Sequence, residues 1–368
     1  MRVQVVDPSA FTPPYDHALC AALARAGAEV ELVTSRFAYG AVPRPDGYAV
    51  NERFYTRARG SPGSMLRRAS KLLEHVPDMI AFGHAAAREA AVVHFQWLDV
   101  QWLDRYLLPR RPIVLTAHDL LPREPRPGQA RAQRRLYERV SALVVHSQYG
   151  RAQLVDRLGV DAAKVSVIHH GAFDYLVEQS DSLPLPPELA AVQGPVVLFF
   201  GLLRPYKGVA TLLEAWRGVS GAELWVVGRP RGVELDRLRR RASATVRFVP
   251  RFVSDAELPA FFRRADVVVL PYSRTERFDF SGVLATALAF GRPSLLSDIG
   301  GFSEVAALGA ARLVAPGDVD ALRDALADLI ADSSARERLA AAALVAARSP
   351  YSWDAAALDT LALYQRLV

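Results

Sequence analysis

At 368 residues the chain is too long for one ordinary core and suggests two domains. Its 51% hydrophobic and 23% charged content excludes disorder. A single cysteine, Cys20, excludes an internal disulfide and fits a reducing compartment. The net charge of +6 suits nucleic acid, anionic lipid or a phosphorylated substrate and does not choose among them.

The opening MRVQVVD is a strand pattern without the basic-then-apolar run of a signal peptide, and no apolar run reaches the roughly 18 residues of a membrane span. A cytoplasmic location is expected. Strands are predicted near 2–6, 29–33, 91–95, 113–117, 141–145 and 165–168 in the first half. Two arginine clusters interrupt them. Arg67, Arg68 and Lys71 share a predicted helix with Met65, Leu66, Leu72 and Leu73; that helix is either a solvated face or a surface for peripheral contact with an anionic membrane. Arg123, Arg126, Arg131, Arg134 and Arg135 form the second cluster. Neither is interleaved with aromatics, so no nucleic-acid partner is expected.

Residues 174–195, rich in proline and polar side chains, read as a linker. Beyond it, strands are predicted near 196–200, 223–227, 245–249, 266–270, 294–297 and 312–314. Strands alternating with helical patterns from end to end give an α/β fold of two doubly wound parallel sheets. In such sheets ligands bind at the carboxyl ends of the strands, and there the unusual residues fall. The first half carries Pro14, Tyr15 and Asp16, then His94, Gln96 and Trp97, then His118, and finally His169 and His170. The second half carries GLLRPYKG (201–208), GRPRG (228–232), PRF (250–252) with Arg251 and Phe252, RFDFSGV (277–283) and SDIGG (297–301). The economical arrangement has the two edges facing each other.

GLLRPYKG follows the strand PVVLFF and precedes a helix that carries Val209, Leu212, Leu213 and Trp216 on one face. Gly201 allows a tight turn, while Arg204 and Lys207 set two cations at a helix start, a place suited to a diphosphate. Taken alone, a surface lysine is an equal reading. It is neither a Walker loop nor Gly-x-Gly-x-x-Gly, so triphosphatase and dehydrogenase chemistry lose their support. Ser281 and Gly282 can open a second helix, with Val283, Leu284, Ala287 and Leu288 on its buried face; its N-terminus is a further anion site. DVD at 318–320 follows Pro-Gly and reads as a helix cap, not a metal motif, so no metal site is expected.

Taken together, VVDPSAFTPPYDHALCAALARAGAEVELVTS, VIHHGAF, FFGLLRPYKGVATLLEAW and ALAFGRPSLLSDIGGFSEV resemble the retaining, nucleotide-sugar-dependent glycosyltransferases of family 4. That resemblance implies the GT-B fold, two Rossmann-like domains facing across a cleft. Residues 1–175 would bind the acceptor and 190–351 the donor, with a helix over 352–368 returning to the first domain. It implies transfer from a UDP- or GDP-linked sugar to a glycan or lipid-linked acceptor, with retention and without metal. No cofactor is implied, since the nucleotide sugar is a substrate.

In such enzymes an arginine and a lysine of the phosphate loop hold the diphosphate. The lysine maps onto Lys207, whereas Leu202 stands at the arginine position, and Arg204 is expected to supply the second cation. His118 resembles a histidine near the donor sugar, with a structural histidine as the other reading. Two family glutamates, one for the sugar and one for the ribose, fall at Phe278 and Thr286. Glu276 and Asp279 lie close enough to stand in for the first, and Thr286 offers a weaker ribose contact. Ser281, Gly282 and Val283 occupy the place where main-chain amides approach the donor, and Glu304 is either a donor contact or a helix cap. Pro14, Tyr15, Gln96 and Trp97 suit a sugar acceptor, whose apolar face and polar rim match aromatic rings and amides; Trp97 is otherwise half-buried packing. The missing glutamates also motivate the alternative of a degenerate member that binds nucleotide or a partner without turnover.

Overall fold

A computed structural model describes residues 1–98, 100–122 and 126–368; Arg123 of the second arginine cluster lies outside the described residues. The chain divides into two compact units. The first comprises residues 1–171, 276–279 and 353–368, the second residues 172–275 and 280–352.

The sheet of the first unit holds β1 (Arg2–Asp7), β2 (Glu29–Thr34), β3 (Ala49–Glu52), β4 (Val92–Phe95), β5 (Ile113–Thr116), β6 (Ala142–Val145) and β7 (Val165–Val167). Their order is β3-β2-β1-β4-β5-β6-β7, every pair parallel. Central strands such as β4 and β5 are buried along their whole length, which is why they read as mostly apolar runs, with His94 and Thr116 the polar exceptions. The strand β3 was not predicted: Ala-Val-Asn-Glu has no apolar run, and it pairs only as an edge, with Asn51 donating to Glu31 at 3.0 Å. The helix Pro13–Arg25 packs against the C-terminal helix Trp353–Gln365.

In the second unit the sheet holds β8 (Val196–Phe200), β9 (Glu223–Val227), β10 (Val246–Val249), β11 (Val267–Leu270), β12 (Ser294–Ser297) and β13 (Ala311–Val314). Its order is β10-β9-β8-β11-β12-β13, again parallel throughout. Both sheets change strand direction of progression at their first strand, leaving a topological switch point beside β1 and beside β8. Residues 174–195 differ from the linker reading. They contain the short helices Tyr175–Glu178 and Pro187–Ala190 and pack on the second unit, because Leu176 and Leu189 are buried and Tyr175 donates to Asp255 at 2.9 Å. Asp318 caps the helix Val319–Ala331 by accepting from the Ala321 amide at 2.9 Å, as the sequence suggested.

Candidate functional site

The carboxyl edge of the first sheet gathers most of the aromatic and imidazole side chains predicted there. Asp7, at the end of β1, accepts from the amides of Ser9, Phe11 and Thr12, which winds residues 8–12 into a compact loop before the helix Pro13–Arg25. Thr12 in turn accepts from the indole of Trp97 at 2.9 Å. Trp97 stacks on His118 with ring centres 5.0 Å apart and 18° between planes, and Tyr15 meets the same imidazole edge-on at 4.6 Å. Gln96 is fully buried, with Oε1 3.1 Å from His118 Nε2. Tyr15, Gln96, Trp97 and His118 therefore converge, with Pro14 half-buried at the start of the adjoining helix.

Sequence reasoning passed over two features of this edge. Asp7 and Asp16 are both buried and hydrogen-bonded to each other; burial raises both carboxyl pKa values, and the charge of Asp7 raises Asp16 further. His146, at the end of β6, is 2% exposed, and burial lowers its pKa to about 3. At Asp7 and His146 the signal was a polar residue ending an apolar strand, and Asp16, already among the edge residues, carried nothing that tied it to Asp7. Asp279, expected near the donor, belongs to this unit. It is fully buried and accepts from the amide of His146 at 2.5 Å and from the Ser147 hydroxyl, at the start of the helix Gln148–Ala152. Phe278 is 2% exposed and bridges to Asp119, while Glu276 is exposed.

In the second unit, the loop after β8 carries Lys207 inward. Lys207 is 8% exposed, and its Nζ lies 2.9 Å from where a Cβ on Gly201 would sit, a point itself 3.3 Å from Val283 Cγ2. A side chain at 201 would collide with the ammonium, and Gly201 also holds φ at +104°. The ammonium lies 5.3 Å from the Tyr272 ring centre, and the Tyr272 hydroxyl is 3.2 Å from Ser281 Oγ. Lys207, Gly201, Tyr272, Ser281 and Val283 are thus brought together at the start of the helix Gly282–Ala289. Ser281 makes no side-chain cap for that helix, since its hydroxyl pairs with Tyr272 instead. Thr286 is 4% exposed and donates to the Gly282 carbonyl at 2.9 Å.

Arg204 stands on the same loop, which is tied to GRPRG by a bridge between Leu203 and Pro230 and by amide bonds of 3.0 and 2.9 Å. Its Nε is buried and meets no acceptor among the described residues. Arg251 is differently placed. Its guanidinium pairs with Glu257 at 2.6 Å and holds that carboxyl down to about 2, leaving Phe252 52% exposed beside it. Glu304 is half-buried in the first turn of the helix Phe302–Ala307.

Residues 15–172 match the family model for Glycosyltransferase Family 4, and residues 194–332 match that for Glycosyl transferases group 1. The chain belongs to the family 4 glycosyltransferases. This family 4 protein is 34% identical over 240 residues to a phosphatidyl-myo-inositol mannosyltransferase of Mycobacterium leprae, covering 62% of this chain and 60% of that one. It is 28% identical over 378 residues to a D-inositol 3-phosphate glycosyltransferase of Corynebacterium efficiens, covering 93% and 87%. Its fold is that of Anabaena HepE, solved in complex with UDP and glucose, at a TM-score of 0.75 and 20% identity over the full length of both. The two parallel α/β sheets are those of the GT-B fold.

Proposed function

We propose that this family 4 protein transfers a sugar from a UDP- or GDP-linked donor to a glycan or lipid-linked acceptor, with retention and without metal. The observation that carries the reading is the buried Lys207 ammonium, folded over Gly201 beside Val283 at the start of the helix Gly282–Ala289. A lysine ammonium, the Arg204 guanidinium and first-turn amides together suit a leaving diphosphate, whose growing charge they would stabilise. Transfer on one sugar face needs no protein nucleophile, because the departing phosphate can take the acceptor's proton. Tyr15, Gln96, Trp97 and His118 supply ring faces and polar groups of the kind a sugar hydroxyl array requires. The names of the mycobacterial and corynebacterial relatives, which pair sugar transfer with inositol acceptors, support an acceptor of lipid or polyol type.

Metal-free calorimetric titration with UDP, GDP, ADP and TDP tests this, alongside Lys207→Ala. One nucleotide should bind selectively, and the variant should lose on the order of tenfold to a hundredfold in affinity. Equal binding by Lys207→Ala would remove the phosphate assignment. Phe278 and Thr286, which carry no charge where donor carboxylates were expected, favour a second reading: a binder without turnover. Selective nucleotide binding with no donor hydrolysis or transfer across inositol, glycan and glycolipid acceptors would support it.

No helix among the described residues is long and apolar enough to cross a membrane. The helix Met65–Glu89 nevertheless exposes Met65, Leu66, Leu72, Leu73 and Ile80 alongside Arg68, and the helix Gln101–Leu107 exposes Trp102 and Tyr106. An apolar face with basic neighbours suits peripheral contact with an anionic bilayer, where a lipid-linked acceptor would be met.

A further inference from the structure

Within the first unit, one hydrogen-bonded line runs from a main-chain carbonyl through two imidazoles to a buried amide. His146 Nδ1 is 3.0 Å from the carbonyl oxygen of Ile168, which can only accept, so Nδ1 carries a proton. Burial, reinforced by His170, His169 and His94, lowers the His146 pKa to about 3, so the ring is neutral and Nε2 offers only a lone pair. That lone pair faces His118 Nδ1 at 3.3 Å. The proton between the two rings therefore belongs to His118. On the far side, His118 Nε2 is 3.1 Å from the amide of Gln96, a residue with no exposed surface whose Nε2 has no partner among the described residues.

The two ends of an amide are assigned from their surroundings, and with its NH2 group toward the ring Gln96 donates to a bare His118 Nε2 while His146 accepts the Nδ1 proton. Stacking by Trp97 and the edge contact from Tyr15 fix the ring plane, and within it the contacts to His146 and Gln96 keep nitrogens, not ring carbons, toward those two partners. Asp279 holds the strand end that presents His146, through its bond to the His146 amide.

We infer that His146 is a positioning residue that fixes His118 as the Nδ1–H form and, with Gln96 at Nε2, sets the orientation in which the imidazole meets substrate. The role toward substrate rests on the proposed sugar transfer; the tautomer does not. Isolated imidazole side chains favour the proton on Nε2, so the protein is holding the less favoured form.

The test is nitrogen-15 NMR of histidine-labelled full-length protein at pH 7.5, with His118 assigned by its loss in His118→Gln. Wild type should show a protonated Nδ1. His146→Gln, whose side-chain oxygen replaces the lone pair, should keep it; His146→Leu, which has no acceptor, should move the proton to Nε2. In sugar transfer, His146→Leu should lower kcat on the order of tenfold or more with donor KM within about twofold, and His146→Gln should recover most of the loss. A bare His118 Nδ1 in wild type overturns the inference, as does an unchanged Nδ1–H in a folded His146→Leu. Should His146→Leu not fold, wild type and His146→Gln still decide, since a bare Nδ1 in wild type, or its loss in the glutamine variant, counts against it. Failure of sugar transfer with nucleotide binding intact would leave the NMR outcome standing, and so separates this inference from the proposed function.

Discussion

The neutral state of His94 sets a measurable acid sensitivity. His94 is 1% exposed, with Nδ1 2.6 Å from the Tyr364 hydroxyl and Nε2 2.8 Å from Thr116 Oγ1, and it ties the central strand β4 to the C-terminal helix. Burial lowers its pKa from 6.5 to about 3. The folded state thus binds fewer protons than the unfolded chain, so stability is full above pH 6.5 and is lost as pH falls toward 3. At about 1.4 kcal/mol per pH unit, moving from pH 7.5 to pH 5.0 costs the wild type about 2 kcal/mol through this residue. His94→Gln keeps one donor and one acceptor for the two hydroxyls but cannot titrate. Its stability deficit against wild type, on the order of 1 kcal/mol at pH 7.5, should therefore vanish or reverse by pH 5.0. Asp7 and Asp16 titrate in the opposite sense, yet both proteins carry them, so they drop out of the difference. Opening free energies from amide hydrogen exchange in β1 and β4 measure it without requiring both units to unfold together. A wild-type-to-variant gap that stays constant within about 0.5 kcal/mol would show that His94 is not held neutral by burial.

The Asp7–Asp16 pair gives the converse prediction. Burial, then the charge of Asp7, raises the Asp16 pKa, so stability is full at low pH and is lost as pH rises through the raised value; Asp16→Asn should raise the thermal midpoint at pH 8 more than at pH 4, and an equal or opposite effect would contradict the assignment. For the exposed face of Met65–Glu89, replacing Leu72 and Leu73 by serine should cut sedimentation with anionic vesicles about tenfold, and raising salt should cut it through the basic residues. Equal, negligible sedimentation of wild type with neutral and anionic vesicles would remove the membrane contact.

What the sequence made legible follows from what its signals encode. Strands buried on both faces, such as Val-Val-Leu-Phe-Phe in β8, announce themselves because a polar residue is tolerated in them only where it is hydrogen-bonded, as His94 is in β4. Edge strand β3 faces solvent along half its length and carries no such constraint, so it was silent. The shape of the loop GLLRPYKG was readable because glycine, proline and lysine at fixed offsets restrict the backbone locally, and Lys207 Nζ does lie over Gly201. Pairings made through space were not readable. Asp16 shares a hydrogen bond with Asp7 from across a loop, and His146 reaches His118 from the neighbouring strand, so nothing at either position alone marks the partner. Short, polar segment 174–195 was read as loose because composition reports solvent affinity, whereas Leu176, Leu189 and the Tyr175–Asp255 bond fasten it to the second unit.

Asp279 shows how one residue can satisfy a motif argument and a structural one at once. By position it stands in for a carboxylate that would meet a donor sugar; by geometry its oxygens accept from the His146 amide and the Ser147 hydroxyl at the start of the helix Gln148–Ala152, whose positive end favours the charge. A buried carboxylate with these acceptor duties cannot exchange them for a sugar hydroxyl without leaving a strand end unsatisfied. Asp279→Asn keeps the shape but turns an NH2 group toward one of the two donors. If the clamp is its main role, the first unit should lose about 1 to 3 kcal/mol, read as faster exchange of the amides in β6, while nucleotide affinity stays near wild type. If the sugar contact dominates, donor KM should rise with the exchange of β6 unchanged. The second pattern would also remove the support Asp279 gives to the strand end that presents His146.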